Sequence, residues 1–170
     1  MTLGEVARVV DGRQVTVGRE TPISGFSIDS RSLDPGDLFV AIRGDRYDGH
    51  EFVSEAFARG ACGALVSDES ALGMLTGEGI VVDDTLSAFQ LLARYIRRTS
   101  DARVVAITGS IGKTTTKELT AGVLGACYRV CRSRGNLNNA IGLPLSLLEL
   151  RTRPEVAVVE LGMNRSGEIS

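Results

Sequence analysis

The segment from Val104 to Thr116 restricts the fold of this chain more than any other part of it. The apolar run Val104–Thr108 predicts a buried strand, which leads through Gly109 and Gly112 into a helix that begins at Lys113. A strand, a glycine turn and a helix in direct succession are the building unit of a parallel α/β sheet. We therefore expect an α/β fold whose ligand lies at the carboxyl edge of the sheet.

The glycine turn has the residue types of a phosphate-binding loop. Gly109 and Gly112 can adopt backbone angles closed to other residues, so that successive N–H groups point inward around phosphate oxygens at the positive end of the helix. Lys113 can neutralise terminal phosphates, and the hydroxyl of Thr114 can ligate Mg²⁺. The residues expected to hold phosphate are Gly109, Ser110, Ile111, Gly112, Lys113, Thr114 and Thr115.

This loop differs from the full pattern G-x-x-x-x-G-K-[ST], because Ile107 stands where that pattern has its first glycine. The shorter pattern G-x-x-G-K-T is weak by itself and also fits an ordinary strand-to-helix turn. The strand before it and the helix after it favour the phosphate loop over that alternative.

A second candidate metal ligand follows another predicted strand. Mg²⁺ binds few protein oxygens, and a carboxylate at the end of a neighbouring strand is expected to complete its site. Glu160 ends the apolar run Val156–Val159, so it is predicted at the carboxyl edge of the sheet. The alternative for Glu160 is an ordinary surface glutamate after a strand.

A polar stretch at Thr99–Ala102 predicts a boundary between two units. Before it, the predicted strands are Gly25–Asp29, Leu38–Ile42, Ala64–Val66 and Ile80–Val82, with helices after Thr2, from Phe52 and after Thr85. After it, the predicted elements are the strand Val104–Thr108, a helix from Lys113 to about Gly125, the strand Tyr128–Cys131, a helix over Gly142–Leu150 and the strand Val156–Glu160.

Composition and charge exclude several classes of protein. With 43% hydrophobic and 24% charged residues, the 170-residue chain is typical of a globular protein and not of a disordered or membrane-spanning one. Its net charge of −2 provides no global field that would attract nucleic acid or anionic lipid. The N-terminus lacks the basic start and apolar run of a signal peptide, so we expect a cytoplasmic protein without nucleic-acid partners or membrane insertion. The three unclustered cysteines are expected to be reduced, buried side chains.

Three segments together resemble the Mur ligases of peptidoglycan synthesis. They are the loop and helix start at 108–118, the asparagine-rich stretch G-N-L-N-N-x-I-G-x-P at 135–144, and E-L-G-M-N-x-x-G-E-I at 160–169. The last two are most similar to the family member that adds D-alanyl-D-alanine. In this family the shorter glycine loop is normal, which removes the difficulty raised by Ile107.

The N-terminal part agrees with the same family. The segment Asp29–Gly44, followed by D-G-H-E-F at 48–52, resembles the domain that holds the UDP end of the precursor in the ligases that add the third residue and the dipeptide. The resemblance therefore extends over essentially the whole chain, with its motifs in family order.

The resemblance implies an amide-bond ligase that uses ATP and Mg²⁺. A carboxylate of UDP-MurNAc-tripeptide would attack the γ-phosphate, and the amine of D-alanyl-D-alanine would then attack the acyl phosphate. By motif position, Lys113 would be the catalytic residue that stabilises the transferred group, and Thr114 and Glu160 would bind Mg²⁺. The substrate-binding residues carried over in the same way are Asn138, Asn139, Ser30 and Arg31.

The resemblance also implies a division into parts. We expect a small mixed α/β precursor-binding domain at 1–84, a connecting helix and linker at 85–102, and the first part of the central P-loop parallel-sheet ATPase domain at 103–170. A complete ligase of this type is longer, so we expect a truncated ATPase domain and little turnover by this chain alone.

Three other functions remain alternatives. The sister ligase that adds the third peptide residue is disfavoured by the G-N-L-N-N stretch, and a phosphate-loop GTPase by the lack of a second nucleotide-specificity motif. A non-catalytic nucleotide-binding module is the third. His50, the only histidine, is expected to position a loop, and Arg43 to face either an anion or solvent.

Overall fold

The computed structural model describes residues 1–15, 21–44, 46–73, 78–135 and 137–162. The chain forms two compact units, Met1–Leu92 and Ala93–Ser170. The division falls inside a long helix, α3, that spans Thr85–Thr99. The finer separation into 1–84, 85–102 and 103–170 stays a prediction.

The described residues of the first unit form a five-stranded sheet, two short α-helices and the first half of α3. In chain order its elements are α1 (Leu3–Val9), β1 (Arg13–Gln14), β2 (Gly25–Ser27), β3 (Asp37–Val40), α2 (Val53–Ala58), β4 (Gly63–Val66) and β5 (Gly79–Val81). The strand order is β1-β5-β4-β3-β2. The strands β2 to β5 are parallel, and β1 pairs with β5 in the antiparallel direction. The carboxyl ends of four strands therefore lie at one edge of the sheet.

Burial on both faces explains why the central strands β3 and β4 are continuous apolar runs. Phe39 of β3 and Val66 of β4 belong to one core cluster together with Val53 and Ala56 of α2. The intervening side chains, such as Leu65, are buried as well. Such runs are typical of parallel strands that are covered on both sides.

The start of α1 is fixed by a capping box, as Thr2 predicts. The Thr2 hydroxyl accepts a hydrogen bond from the backbone N–H of Glu5, and the Glu5 carboxylate accepts one from the N–H of Thr2. Each bond satisfies an N–H group that the helix leaves unpaired.

The second unit is a three-stranded parallel sheet with helices. Its elements are β6 (Arg103–Ile107), α4 (Lys113–Gly125), β7 (Val130–Arg132), α5 (Gly142–Leu148) and β8 (Val156–Glu160). The strand order is β6-β8-β7, so β8 lies in the middle. Ala121 of α4 packs against Val156 and Val158 of β8. The predicted α/β class with parallel sheets is confirmed.

Element limits differ from the prediction in both units. The strand expected to reach Asp29 ends at Ser27, because Asp29 caps a 3-10 turn at Ser30–Ser32, and the strand expected over Leu38–Ile42 spans Asp37–Val40. The strand expected from Tyr128 begins at Val130, because the N–H of Tyr128 still bonds the carbonyl of Leu124 in the closing turn of α4. The helix expected to reach Leu150 ends at Leu148 and continues as a 3-10 turn to Thr152.

None of the helices in the described part of the chain has the length and apolar character needed to span a membrane.

The cysteines agree only partly with the prediction. All three are free, and burial raises the pKa of the Cys62 thiol to about 11. Cys131 is half-buried, and burial also raises its pKa. Cys127 is exposed, so the expectation of a buried side chain is wrong for it. It follows the end of α4 and precedes Tyr128, which is also exposed.

Candidate functional site

The glycine turn after β6 has the backbone that a phosphate loop requires. Gly109 has φ +148° and Gly112 has φ +80°, both in the region that favours glycine. Gly112 is also the N-cap of the 13-residue helix α4, so the turn opens at the positive end of that helix. Ser110 and Thr115 are exposed, and the side chain of Ile111 is 93% exposed. The loop therefore presents its backbone and helix terminus to solvent.

Lys113 bends back over this loop. Its Nζ donates a hydrogen bond to the carbonyl oxygen of Gly109 at 2.7 Å. Within the described part of the chain, the ammonium is therefore held across the turn by a neutral acceptor. An anionic phosphate oxygen can replace that acceptor and form a stronger, charge-assisted bond.

Glu160 lies beside the first turn of α4. The β6–β8 register pairs Ile107 with Glu160, so the end of β8 lies directly next to the start of the glycine turn. The Thr114 hydroxyl donates to Glu160 Oε2 at 2.9 Å. Glu160 is only 2% exposed, which excludes the ordinary surface glutamate considered for it.

The asparagine-rich segment contributes a second donor to the same carboxylate. Asn138 Nδ2 donates to Glu160 Oε1 at 2.7 Å, and the carbonyl of Asn138 accepts from the N–H of Gly162 at 2.9 Å. A Cβ at Gly162 would lie 2.9 Å from both Asn138 O and Oδ1, so only glycine permits this approach. The residues 163–169 of the third motif, and Asn136, lie outside the described residues.

Asn139 has a different role from its neighbour. Its Oδ1 accepts hydrogen bonds from the N–H groups of Ile141 and Gly142, at 3.2 and 2.7 Å, and so caps the start of α5. Its predicted contact with substrate stays a prediction.

Two further residues complete the surroundings of Glu160, and sequence reasoning assigned no function to either. Lys117 is fully buried, and its Nζ lies 4.0 Å from Glu160 Oε2. Ser133 is also buried, and its Oγ accepts from the backbone N–H of Glu160 at 3.3 Å. The sequence signal for Lys117 is its spacing from Lys113. Residues four positions apart lie on the same face of a helix, so Lys117 is on the face of α4 that carries Lys113.

The oxygen atoms of Thr114 and Glu160 fit the requirements of Mg²⁺. Hydroxyl and carboxylate oxygens are hard ligands, and adjacent ligands of an octahedral Mg²⁺, each about 2.1 Å from the ion, lie roughly 3 Å apart. The observed separation of 2.9 Å matches that value. A cation could therefore bind both oxygens without a large movement of either, once the Thr114 hydroxyl has turned its proton away from Glu160.

The candidate precursor site lies after β2 in the first unit. The Arg31 guanidinium donates to both carboxylate oxygens of Asp29, at 2.9 and 2.7 Å, and is largely exposed. These bonds from Arg31 lower the pKa of Asp29 to about 2. Ser30 is buried, with its hydroxyl donating to Glu55 Oε2 at 3.1 Å. Arg31 is thus accessible to an anion, whereas the Ser30 hydroxyl already has a partner within the fold.

His50 links the segment after β3 to the end of β4. Its Nε2 accepts from the backbone N–H of Ser67 at 2.9 Å, so its proton is assigned to Nδ1, which lies 2.6 Å from Asp48 Oδ1. Arg43 Nε donates to the other oxygen of Asp48 at 2.7 Å. Hydrogen bonds, first from the backbone N–H of His50, hold the pKa of Asp48 well below its usual value. This geometry agrees with a positioning role for His50 and gives Arg43 an internal partner.

Comparisons with known proteins cover both units. Residues 22–97 match the family model described as "Mur ligase family, catalytic domain", and residues 107–170 match "Mur ligase middle domain". The UDP-N-acetylmuramoyl-tripeptide–D-alanyl-D-alanine ligase of Escherichia coli K12 is 41% identical over 170 residues, which are 100% of this chain and 36% of that ligase. The chain therefore spans little more than a third of the length of this curated relative.

Solved structures show the same relationship. Crystal structure II of MurF from Acinetobacter baumannii matches with a TM-score of 0.88 and 38% identity, over 99% of this chain and 36% of that one. The MurF ligase of Thermotoga maritima, solved in complex with ADP, matches with a TM-score of 0.73 and 33% identity, over 89% and 35% of the two chains.

Proposed function

The chain belongs to the Mur ligase family, and on that premise we propose that it supplies the precursor-binding and phosphate-binding parts of an ATP-dependent ligase. The reaction we propose is the addition of D-alanyl-D-alanine to UDP-MurNAc-tripeptide. The observation that carries the proposal is the contact of Thr114 with Glu160 at the opening of the glycine turn. It joins a helix-terminal phosphate loop to a buried carboxylate, as phosphoryl transfer requires.

The loop residues would bind the phosphates of ATP. The N–H groups from Gly109 to Thr115 lie at the N-terminus of α4, where the helix dipole favours negative charge. Lys113 would leave the Gly109 carbonyl and bind the terminal phosphates, where its charge stabilises the transferred group.

Thr114 and Glu160 would hold Mg²⁺. The ion, when bound, neutralises phosphate charge during the transfer. Asn138 and Ser133 would keep Glu160 oriented, because each bonds an atom of that residue.

The chemistry follows from the weak electrophilicity of a carboxylate. An oxygen of the tripeptide carboxylate would attack the γ-phosphorus, the bond to the bridging oxygen would break, and ADP would leave. The amine of D-alanyl-D-alanine would then attack the carbonyl carbon, lose a proton, and displace inorganic phosphate. The protein would align anions and neutralise charge without supplying a covalent nucleophile.

We propose that the precursor and ATP bind to different domains of the chain. Residues 1–84 would bind the UDP end, with Arg31 offering a planar guanidinium to phosphate and Ser30 in its support. Residues 85–102 would connect the parts, and 103–170 would bind ATP, with Asn138 and Asn139 ordering the loop beside the substrate. A cytoplasmic location would follow from the use of ATP and a nucleotide precursor.

Two alternatives differ in ligand and in reaction. The sister ligase would prefer UDP-MurNAc-dipeptide. The 41% identity to the UDP-N-acetylmuramoyl-tripeptide–D-alanyl-D-alanine ligase of Escherichia coli K12 favours the tripeptide. A non-catalytic module would bind both nucleotides and support no phosphoryl transfer.

Calorimetric titration of this chain tests the proposal. We expect binding of AMP-PNP in the presence of Mg²⁺, a loss of about ten-fold or more in affinity in Lys113→Ala, and tighter binding of UDP-MurNAc-tripeptide than of the dipeptide precursor. The control is Arg103→Gln, which removes a positive charge from an exposed residue at the start of β6, away from Glu160. Binding of AMP-PNP that is unaffected by EDTA and by Lys113→Ala would contradict the proposed phosphate site.

A further inference from the structure

Lys117 is a charged residue that the proposed mechanism does not use. It is one of only two lysines in the chain, the other being Lys113, although Lys and Arg together number 19. Its side chain is 0% exposed. A fully buried lysine is rare unless it is paired, so its partners indicate its role.

The ammonium of Lys117 connects three pieces of the phosphate site. It donates to the carbonyl of Gly135, the first residue of the asparagine-rich stretch, at 2.8 Å. It lies 4.0 Å from Glu160 Oε2 and 3.3 Å from Glu118 Oε1. Thr114 and Lys117, three positions apart on α4, thus approach the same oxygen of Glu160.

The charges at this position balance before any ligand binds. Lys117 and Glu160 are both buried and of opposite sign. Glu118 is half exposed and also forms an ion pair with Arg132, whose Nε lies 3.2 Å from Glu118 Oε2. Among the described residues, Lys117 is the only cation within 4.0 Å of the Glu160 carboxylate.

A divalent cation that entered alone would upset this balance. With Lys117 charged, the buried cluster would hold three positive charges against the single negative charge of Glu160, in a region of low dielectric. The phosphates of a bound nucleotide would supply the missing negative charge. Cation and nucleotide are therefore expected to favour each other's binding.

We propose that Lys117 is a positioning residue that makes cation binding at Thr114 and Glu160 depend on bound nucleotide. It does so by placing its ammonium beside the metal-binding carboxylate while tying the Gly135 turn to α4. This inference rests on the proposed function, since it takes the glycine turn to be the nucleotide site.

The test measures cation and nucleotide binding separately in the intact chain. Mn²⁺ is followed by electron paramagnetic resonance and AMP-PNP by calorimetry, each without and with the other ligand. Lys117→Gln removes the charge and keeps a side-chain N–H donor for the Gly135 carbonyl. Arg103→Gln is the control, because it removes a charge from an exposed residue at the start of β6, which pairs with Val156 at the opposite end of β8 from Glu160.

We expect Lys117→Gln to change the affinities for Mn²⁺ and for AMP-PNP in opposite directions. Lys117→Gln should bind Mn²⁺ alone about ten-fold more tightly than the unaltered chain and should bind AMP-PNP alone more weakly. The coupling between the two ligands should fall by the same factor whichever ligand is varied, because linkage is reciprocal. Arg103→Gln should change each affinity by less than about two-fold.

Other outcomes overturn the inference in distinguishable ways. A merely structural role would weaken both ligands in Lys117→Gln, and an unchanged Mn²⁺ affinity would exclude the charge effect. If the unaltered chain bound no Mn²⁺ with AMP-PNP, the proposed function itself would fail and the inference with it. If Lys117→Gln did not fold, thermal unfolding of the unaltered chain would decide: stabilisation by Mg²⁺ and AMP-PNP together that equalled the sum of their separate effects would refute the proposed dependence.

Discussion

The hydroxyl of Thr114 lies 2.9 Å from the carboxylate of Glu160, although 46 positions separate the two residues in the chain. Two features produce this contact. The parallel register places Glu160 opposite Ile107 at the carboxyl edge of the sheet. The short glycine turn then starts α4 at Lys113, so that its first turn lies above that edge.

Thr114→Val tests whether this contact is part of a cation site. The substitution keeps the shape of the side chain and removes the oxygen, so we expect the dissociation constant of AMP-PNP with Mg²⁺ to rise about ten-fold or more. Thr114→Ser retains the hydroxyl and should stay within about three-fold of the unaltered chain. Calorimetry with and without EDTA measures both. An equal loss in EDTA would show that the threonine acts on the nucleotide and not through the cation.

Asn138→Asp tests the charge at the second oxygen of Glu160. The new carboxylate would stand where an N–H donor now lies 2.7 Å from Oε1, so we expect the free energy of unfolding to fall by about 1–3 kcal/mol. Added Mg²⁺ should restore stability, because it neutralises the pair. Asn138→Ala also loses the hydrogen bond but adds no charge. Urea unfolding of both variants, with and without Mg²⁺, measures these effects. An equal response of Asn138→Asp and Asn138→Ala to Mg²⁺ would contradict the expectation.

Local patterns predicted the phosphate turn well, because they depend on neighbouring residues. The glycines, the start of α4 at Lys113 and the end of β8 at Glu160 agree with the expectation. The burial of Lys117 could not be predicted in this way, since it depends on the Gly135 carbonyl, 18 positions away. A lysine in a helix is usually exposed, and only the fold turns it into a buried partner of Glu160.

Two residues that were predicted to bind substrate have hydrogen-bond partners within the first unit. Arg31 and Ser30 were expected to face the precursor, yet Arg31 pairs with Asp29 and Ser30 bonds Glu55. In the sequence D-S-R, Asp29 lies two positions before Arg31, and these two residues form the observed ion pair. A resemblance to a binding motif does not predict which partners a side chain has before its ligand binds. The roles of both residues with substrate remain predictions.

Two glycines offer a matched test of packing. Gly162→Ala would place a Cβ 2.9 Å from the carbonyl oxygen of Asn138, so we expect a loss of about 1–3 kcal/mol in the free energy of unfolding. Gly122 lies in α4, where a Cβ would meet no other part of the chain within 4 Å, and Gly122→Ala should gain about 0.5–1 kcal/mol. Urea denaturation measures both. Equal effects of the two substitutions would contradict the close approach of Gly162 to Asn138.

The Asp29–Arg31 pair predicts a pH dependence in the first unit. The pKa of Asp29 is lowered from 3.8 to about 2, so its carboxylate stabilises the folded chain above pH 4, and this contribution is lost as the pH falls through 2. Arg31→Gln should return the pKa of Asp29 toward 3.8. Carbon-13 NMR titration of the Asp29 carboxyl measures this. Asp84 is the control, because its carboxylate accepts from the N–H of Ser87 and should titrate unchanged.

The same titration tests whether Arg31 binds the precursor. A diphosphate that recruited the guanidinium would weaken its bonds to Asp29, so the pKa of Asp29 should rise when UDP-MurNAc-tripeptide is bound. If the precursor bound and the titration of Asp29 stayed the same, Arg31 would remain with Asp29 in the complex. The diphosphate would then have to be bound by another residue, and the assignment of Arg31 to the UDP end would be wrong.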